Sequence, residues 1–102
     1  MAFRLVSENP SAWEFGYNRA LPTVLRSGGL RVVVYPNDHR PAHAHVIGRG
    51  YEAVFNLNCP AGPAELRENY GFTGREIARI VSVLTGHLNE LCGEWKRIHE
   101  IA

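Results

Sequence analysis

The sequence predicts an α+β domain in which three or four antiparallel strands, arranged as a meander of hairpins, pack against one long C-terminal helix. Apolar, β-branched segments surround glycine-rich turns in the first half of the chain, and apolar residues recur at helical spacing after Thr73. With 102 residues the chain has the size of one domain, so a single hydrophobic core is expected. We assign residues 1–20 to an N-terminal extension and residues 21–102 to the α+β domain.

Two hairpins account for the predicted sheet. The first places a Gly-Gly pair between residues 23–26 and residues 30–35, and the second joins residues 43–47 to residues 51–57. Glycine favours such tight turns because it accepts positive φ angles without steric cost. Alternating aromatic side chains at residues 13–17 predict a further short strand in the extension.

The C-terminal helix is predicted from a capping signature and an apolar stripe. Thr73 followed by Glu76 matches a capping box, and a shorter helical turn is predicted before it at residues 64–69. The stripe is expected to cover the sheet, because an amphipathic helix must bury its apolar face; a dimer or partner seam is the alternative. The residues of the stripe are Ile77, Val81, Leu84, Leu88, Leu91, Trp95 and Ile98.

Composition and charge exclude several classes of protein. Hydrophobic residues make up 45% and charged residues 21%, as in ordinary globular domains. The net charge of +1 divides into +3 over residues 1–50 (six Arg, three acidic) and −2 over residues 51–102 (five basic, seven acidic), without a concentrated basic stripe. No apolar run approaches the roughly 18 residues that cross a bilayer, and we expect a cytoplasmic protein with no membrane partner. Cys59 and Cys92 lack metal-binding spacing and are predicted to be reduced thiols.

Residues 37–45 are rich in histidine, lead from the first hairpin into the first strand of the second, and are the first candidate for chemistry. His43 and His45 are two residues apart, so on a strand their side chains share a face with Cα atoms about 6.6 Å apart. Strand-borne His-x-His pairs suit Zn²⁺, Mn²⁺ or Fe²⁺ when a carboxylate completes the set. The candidate metal ligands are His39, His43, His45 and Glu52, with Asp38 and Glu65 as alternative carboxylates.

Metal-free acid–base chemistry is the alternative for the same segment. His43 or His45 would then act as general acid or base, with Asp38 as the carboxylate that orients it. Arg40 and Arg49 would contact a phosphate group and stabilise its developing charge. A third interpretation is that both histidines are structural and satisfied by hydrogen bonds.

The register of the second hairpin decides between a polar and an apolar setting for these histidines. A three-residue turn at residues 48–50 would place them on the face of Ala53 and Phe55, which is typical of a core. A two-residue turn at Arg49 and Gly50 would place them with Glu52, Val54 and Asn56 instead. One residue of slippage exchanges the faces, so both registers stay open at this point.

Short motifs distributed from Pro22 to the end of the chain are shared with a known family. They are Pro22-Thr23-Val24, Tyr35-Pro36-Asn37-Asp38, Pro41-Ala42-His43-Ala44-His45, Glu52-Ala53-Val54-Phe55, Asn69-Tyr70-Gly71-Phe72, Glu76 and Leu91-Cys92-Gly93-Glu94-Trp95. On these motifs, about four fifths of the chain resembles the bacterial domain-of-unknown-function family four-one-six-zero. The resemblance implies a member of a two-gene cassette with a small partner, of the kind associated with toxin-antitoxin systems. It assigns no catalytic residue.

We therefore expect a toxin-antitoxin component that cleaves or binds RNA at the His-x-His element. The alternatives are a non-catalytic module that binds a cassette partner, and a metal-binding protein with no role in nucleic-acid chemistry. The cofactor expected, if any, is a divalent metal such as Zn or Mn. The expected partners are a small cognate protein, RNA and a second copy of the chain.

Overall fold

The sheet is antiparallel and its strands follow one another in chain order. The structure is a computed structural model and describes residues 4–5, 23–27 and 29–100. Within these ranges the α+β class is confirmed, and the strand count exceeds the three or four predicted: five strands are joined at one edge by a two-residue strand. The strands are β1 (Arg4–Leu5), β2 (Thr23–Ser27), β3 (Leu30–Val33), β4 (His43–Gly48), β5 (Tyr51–Asn56) and β6 (Glu65–Tyr70).

Strand β1 brings part of the N-terminal extension into the sheet. Its two residues pair with β2, Arg4 opposite Arg26 and Leu5 opposite Leu25. The strand predicted at residues 13–17 lies outside the described residues.

Strand β6 replaces the helical turn predicted at residues 64–69, so that prediction was wrong. Residues 65–70 pair along β5 from Asn56 to Glu52 with one irregularity in the register. The cause is tertiary, because an open edge of β5 offers hydrogen bonds that outweigh the helix propensity of Glu, Leu and Arg. The Asn69 side chain then closes the exit from the strand, donating to the carbonyl of Phe72 and accepting from its amide.

Two helices follow the sheet where one long helix was predicted, which corrects that expectation. They are α1 (Gly74–Gly86) and α2 (Leu88–Glu100), and neither they nor any other described helix is long and apolar enough to cross a membrane. His87 separates them with φ −114° and ψ 22°, and its backbone N–H closes α1 on carbonyls that include that of Val83. Gly86 just before it has the lowest helix propensity of any residue except proline, which makes this the weakest point of the run.

The predicted capping box at the start of α1 is confirmed. The Thr73 hydroxyl accepts from the Glu76 amide, and the Glu76 carboxylate accepts from the Thr73 amide. That backbone hydrogen bond, with a smaller contribution from Arg49, holds the pKa of Glu76 below its ordinary value despite opposing desolvation.

The apolar stripe is buried with the sheet in one core. Leu84, Leu91 and Trp95 are buried in it, and Ile77 and Ile98 pack against its margin. From the sheet the core takes alternate residues of the central strands, namely Ala44, Val46, Ala53 and Phe55. The intervening residues of β4 and β5, which include His43 and His45, therefore lie on the other face of the sheet.

Cys59 and Cys92 form a disulfide, which overturns the prediction of reduced thiols. Cys59 lies in the connection between β5 and β6, and Cys92 lies in α2. The prediction failed because it used the spacing of the cysteines in the sequence, whereas the fold places their Cα atoms 5.9 Å apart, within bonding range. The disulfide ties α2 to the sheet at the same end as the histidine segment.

Removing this disulfide is expected to lower stability without changing the fold. Closing a loop over a separation of 33 residues restricts the unfolded chain by about 3–4 kcal/mol. For a domain of this size the Cys59→Ser, Cys92→Ser variant should therefore melt roughly 10–20 °C below the wild type in thermal denaturation. Reductant should lower the melting temperature of the wild type and leave that of the variant alone. Equal melting curves with and without reductant would show that the thiols are not paired in solution.

Candidate metal centre

The turn between β4 and β5 sets the face on which the two histidines lie. Ile47 is opposite Glu52 and Gly48 is opposite Tyr51, so Arg49 and Gly50 form a two-residue turn. Both have positive φ, 53° and 82°, as a type I′ hairpin turn requires.

This register is the polar one of the two that the sequence left open. It places His43 opposite Asn56 and His45 opposite Val54 in the antiparallel pair. Residues directly opposite one another share a face of the sheet. The His43 side chain nevertheless remains well covered, because the residue is only 6% exposed and its ring lies 5.3 Å from that of Trp95.

Asp38 joins the two imidazoles through a single carboxylate oxygen. Its Oδ2 atom lies 3.1 Å from Nε2 of His43 and 3.1 Å from Nε2 of His45. One ligand atom from each of the three residues falls within 4.8 Å of the others. These three residues form what we call the Asp38 cluster, a two-histidine, one-carboxylate set.

Each imidazole of the cluster also has its second ring nitrogen against an oxygen. Nδ1 of His43 lies 2.8 Å from the Pro41 carbonyl, and Nδ1 of His45 lies 3.0 Å from Oε2 of Glu52. A neutral imidazole has only one N–H, whereas both nitrogens of His45 have hydrogen-bond geometry towards carboxylate oxygens, so one of them directs a lone pair at an oxygen that also carries lone pairs. A cation held between the Nε2 atoms and Asp38 removes this conflict.

The two distances from Asp38 to the imidazoles fit a bound cation. Nitrogen and oxygen ligands lie about 2.1 Å from Zn²⁺, so neighbouring ligand atoms are about 3.0 Å apart at right angles and about 3.4 Å apart in a tetrahedron. The two 3.1 Å separations within the cluster fall in this interval, whereas the three ligand atoms as a set lie within 4.8 Å of one another, a wider spread than a tetrahedron around Zn²⁺ allows. The outer contacts fit too, since metal-bound histidines commonly donate their other N–H to a carbonyl or carboxylate. Asp38, His43 and His45 could therefore hold a divalent metal once the two imidazoles move closer together.

The structure shows where each residue of the predicted ligand set lies. It brings His43 and His45 together with Asp38, the residue expected to be the orienting carboxylate. Glu52 contacts the outer nitrogen of His45 and thus orients that ring, while His39 is exposed and lies outside the cluster. Glu65 is an exposed residue of β6.

The two arginines predicted to contact phosphate are separated by the length of β4. Arg40 is exposed and precedes Pro41 at the histidine end of the strand. Arg49 is in the turn at the other end, about 16 Å along the strand from His43, where its guanidinium contacts Glu76 at 2.7 Å. Only Arg40 is placed near the Asp38 cluster.

The family comparison agrees with the resemblance seen in the sequence. A family model described as "Domain of unknown function (DUF4160)" matches residues 29–96, about two thirds of the chain. The chain belongs to this family. The matched span is shorter than the region from Pro22 onward that the motifs indicated, and it includes the whole Asp38 cluster. No curated protein and no solved structure matches the chain.

Two further residues of this DUF4160 domain border the cluster and were missed as site residues. The Tyr35 ring meets the His45 ring edge to face at 4.6 Å, and burial, followed by the nearby Glu52 carboxylate, raises the pKa of the Tyr35 phenol. Like any phenol, the Tyr35 side chain is protonated at neutral pH and can donate a hydrogen bond. In the sequence, Tyr35 directly before Pro36 indicates only the end of a strand. Nothing there predicts its contact with His45.

Asn56 is the second missed residue. Its Oδ1 atom is buried and accepts no hydrogen bond from the described residues, although it is opposite His43 on the shared face. A buried amide oxygen without a donor is costly, so such an atom marks a place where a ligand could be bound. The sequence places Asn56 on the same face as the histidines only if the turn between β4 and β5 has two residues.

We expect the purified DUF4160 protein to bind about one equivalent of Zn²⁺ or Mn²⁺, and the His43→Ala, His45→Ala variant to lose this binding. Calorimetric titration of the metal-free protein measures both. Glu52→Gln should weaken binding about 10–100-fold, because Glu52 orients His45 without ligating. The matched control is His39→Ala, which removes a histidine from the same segment and should bind normally. Equal metal binding by the double variant and the wild type would contradict the assignment, provided circular dichroism shows both folded.

Proposed function

We propose that the Asp38 cluster binds a divalent metal ion and uses it for hydrolysis. The observation that carries the proposal is the pair of imidazoles that share one oxygen of Asp38 while acceptors hold their outer nitrogens. Three protein ligands leave at least one coordination position open, which is the arrangement of catalytic sites. The side chains of Asp38 and His45 are 21% and 15% exposed, so the cluster is covered but not sealed.

The proposed chemistry is activation of water beside a polarised substrate. A divalent metal lowers the pKa of bound water and stabilises charge that develops on a carbonyl or phosphoryl oxygen. Asn56 would accept a hydrogen bond from that water through its unpartnered Oδ1 atom. The Tyr35 ring, in edge-to-face contact with His45, would help to hold that imidazole in its orientation.

The same contacts weigh against metal-free acid–base catalysis. A general acid or base needs one atom directed at the substrate. Both nitrogens of His45 and Nδ1 of His43 already make hydrogen-bond contacts to protein oxygens, and Nε2 of His43 lies 3.1 Å from Asp38. Acid–base work would require these contacts to break first, whereas metal binding keeps the outer ones.

RNA is the substrate class we propose, in keeping with a toxin-antitoxin role for the protein. Arg40 is exposed and lies three residues before His43 in the segment that leads into β4, so its positive charge could reach a substrate bound at the cluster. Arginine suits phosphate because its planar fork of donors can contact two oxygens at once. We propose a cytoplasmic location for this activity. The reducing environment of that compartment would favour cleavage of the Cys59–Cys92 disulfide.

A binding role for strand β6 is the second candidate function. β6 is the last strand of the sheet in the described part of the chain, and all six of its residues are exposed, including Leu66 at 39% and Tyr70 at 61%. A strand edge offers backbone donors and acceptors to an added strand. We propose a second copy of the chain as its occupant, because the mixed charges of Glu65 and Arg67 complement an antiparallel copy of the same strand.

The metal-loaded protein is expected to cleave single-stranded RNA, and Asp38→Asn should reduce the rate about 100-fold or more by removing the shared ligand. A gel assay on end-labelled RNA, with and without chelator, measures this. His39→Ala is the control for altered charge in the same segment and should cleave normally. Cleavage by Asp38→Asn at the wild-type rate would assign the activity to another site or to a contaminant. A metal-binding wild type that leaves RNA intact would remove RNA as substrate and keep the metal centre.

If β6 pairs with a second copy, the chain should sediment as a dimer, and Leu66→Lys with Tyr70→Lys should shift it to monomer. Both side chains are exposed, so the substitutions should leave the fold intact. Arg75→Glu, an exposed change of charge on α1, is the control and should not alter the sedimentation. A wild-type monomer at concentrations up to about 100 μM would reject the pairing, since stable interfaces dissociate well below that level.

A further inference from the structure

A cavity of about 700 Å³ lies beside the Asp38 cluster and is not explained by metal binding. Its walls come from the segment that leads into β4, from the connection between β5 and β6, and from α2. The Cys59–Cys92 disulfide and Trp95 contribute to the lining. The volume lies within the range of small-molecule sites, roughly 300–1,000 Å³, and could hold a ligand the size of a nucleotide.

The charged groups that line the cavity are all basic. Arg40 comes from the segment before β4 and Lys96 from α2, and no lining residue is an aspartate or glutamate. This is a local concentration of positive charge in a chain whose net charge is only +1. Low-dielectric walls strengthen the field of such charges on an anion inside.

His99 joins the cavity to the metal centre. Its ring stacks on Trp95 with centroids 3.7 Å apart, Nδ1 lies 2.8 Å from the Trp95 carbonyl, and Nε2 lies 3.1 Å from the backbone carbonyl of Asp38. Pro41 makes a second connection, because it lines the cavity while its carbonyl holds Nδ1 of His43. The cavity and the Asp38 cluster thus share the segment between Asp38 and Pro41 as a common wall.

We propose that this cavity binds the phosphate group of a ligand of nucleotide size, with Arg40 and Lys96 as the phosphate contacts. The binding needs neither the metal nor a charge on His99, so it goes beyond the hydrolytic function proposed above. The phosphate would come from a free nucleotide or from an RNA strand that also reaches the metal centre. Either source presents the same anionic oxygens to the two basic side chains.

The experiment is calorimetric titration of the chelator-treated protein with 5′-AMP, adenosine and a short RNA at near-physiological salt. AMP is expected to bind and adenosine to bind at least about tenfold more weakly, because only AMP carries the phosphate. Arg40→Ala with Lys96→Ala should weaken AMP binding by a similar factor. Arg75→Ala with Arg79→Ala removes the same charge from α1, outside the lining, and should bind as the wild type does.

A second variant tests the cavity without touching its charges. Gly93 lines the cavity, and a Cβ atom added there would meet no other atom within 4 Å, so Gly93→Leu should fit the helix and occupy the space. It should abolish AMP binding while keeping or raising the melting temperature, since glycine is a poor helix former.

Equal binding of AMP and adenosine would overturn the proposal, as would unchanged AMP binding in Gly93→Leu. The proposal would also fail if the Arg40→Ala, Lys96→Ala variant and the Arg75→Ala, Arg79→Ala control weakened AMP binding equally. Tight binding of RNA with weak binding of AMP would support the strand as the natural source of the phosphate. Because no metal is present, failure here is separate from failure of the metal centre, which the Zn²⁺ titration measures.

Discussion

The two-residue turn at Arg49 and Gly50 is the constraint on which the site depends. Because both residues have positive φ, the turn is tight and Ile47 falls opposite Glu52. That pairing gives Ala44 and Val46 to the core and leaves His43 and His45 on the face that carries Glu52 and Asn56. A turn longer by one residue would exchange the two faces, burying imidazoles among apolar side chains and exposing alanine and valine instead.

The segment between β3 and β4 turns this register into a site. Asp38 reaches back to both Nε2 atoms, and Pro41 holds the outer nitrogen of His43 through its carbonyl. His99 of α2 holds the same segment from the other side through the Asp38 carbonyl. The disulfide fastens α2 nearby, so the helix, the segment and the first residues of β4 support one another. Such support is what keeps a ligand set within reach of its ion.

The sequence predicted the fold class, the capping box and the His-x-His element because each is a local pattern. It could not choose the register of the β4–β5 hairpin, since both turns are chemically reasonable and the choice depends on packing against the rest of the sheet. The same limit explains the errors. β6 formed where local propensity favoured a helix, and Cys59 met Cys92 across 33 residues. Nor could the sequence tell which carboxylate faces the inner nitrogens: in the fold Asp38 faces Nε2 of both histidines, and Glu52 faces Nδ1 of His45.

X-ray absorption spectroscopy of the zinc-loaded protein tests most directly whether Asp38, His43 and His45 ligate one divalent metal. A metal held by these residues should show a first coordination shell of nitrogen and oxygen atoms at about 2.0–2.1 Å, with the outer-shell scattering of two imidazole rings. Loss of one imidazole in His45→Ala would identify the ligand. Sulfur scattering at about 2.3 Å would place the metal on the cysteines, and a shell of oxygen alone would place it on surface carboxylates. Either result would contradict the assignment of the metal to the histidine strand.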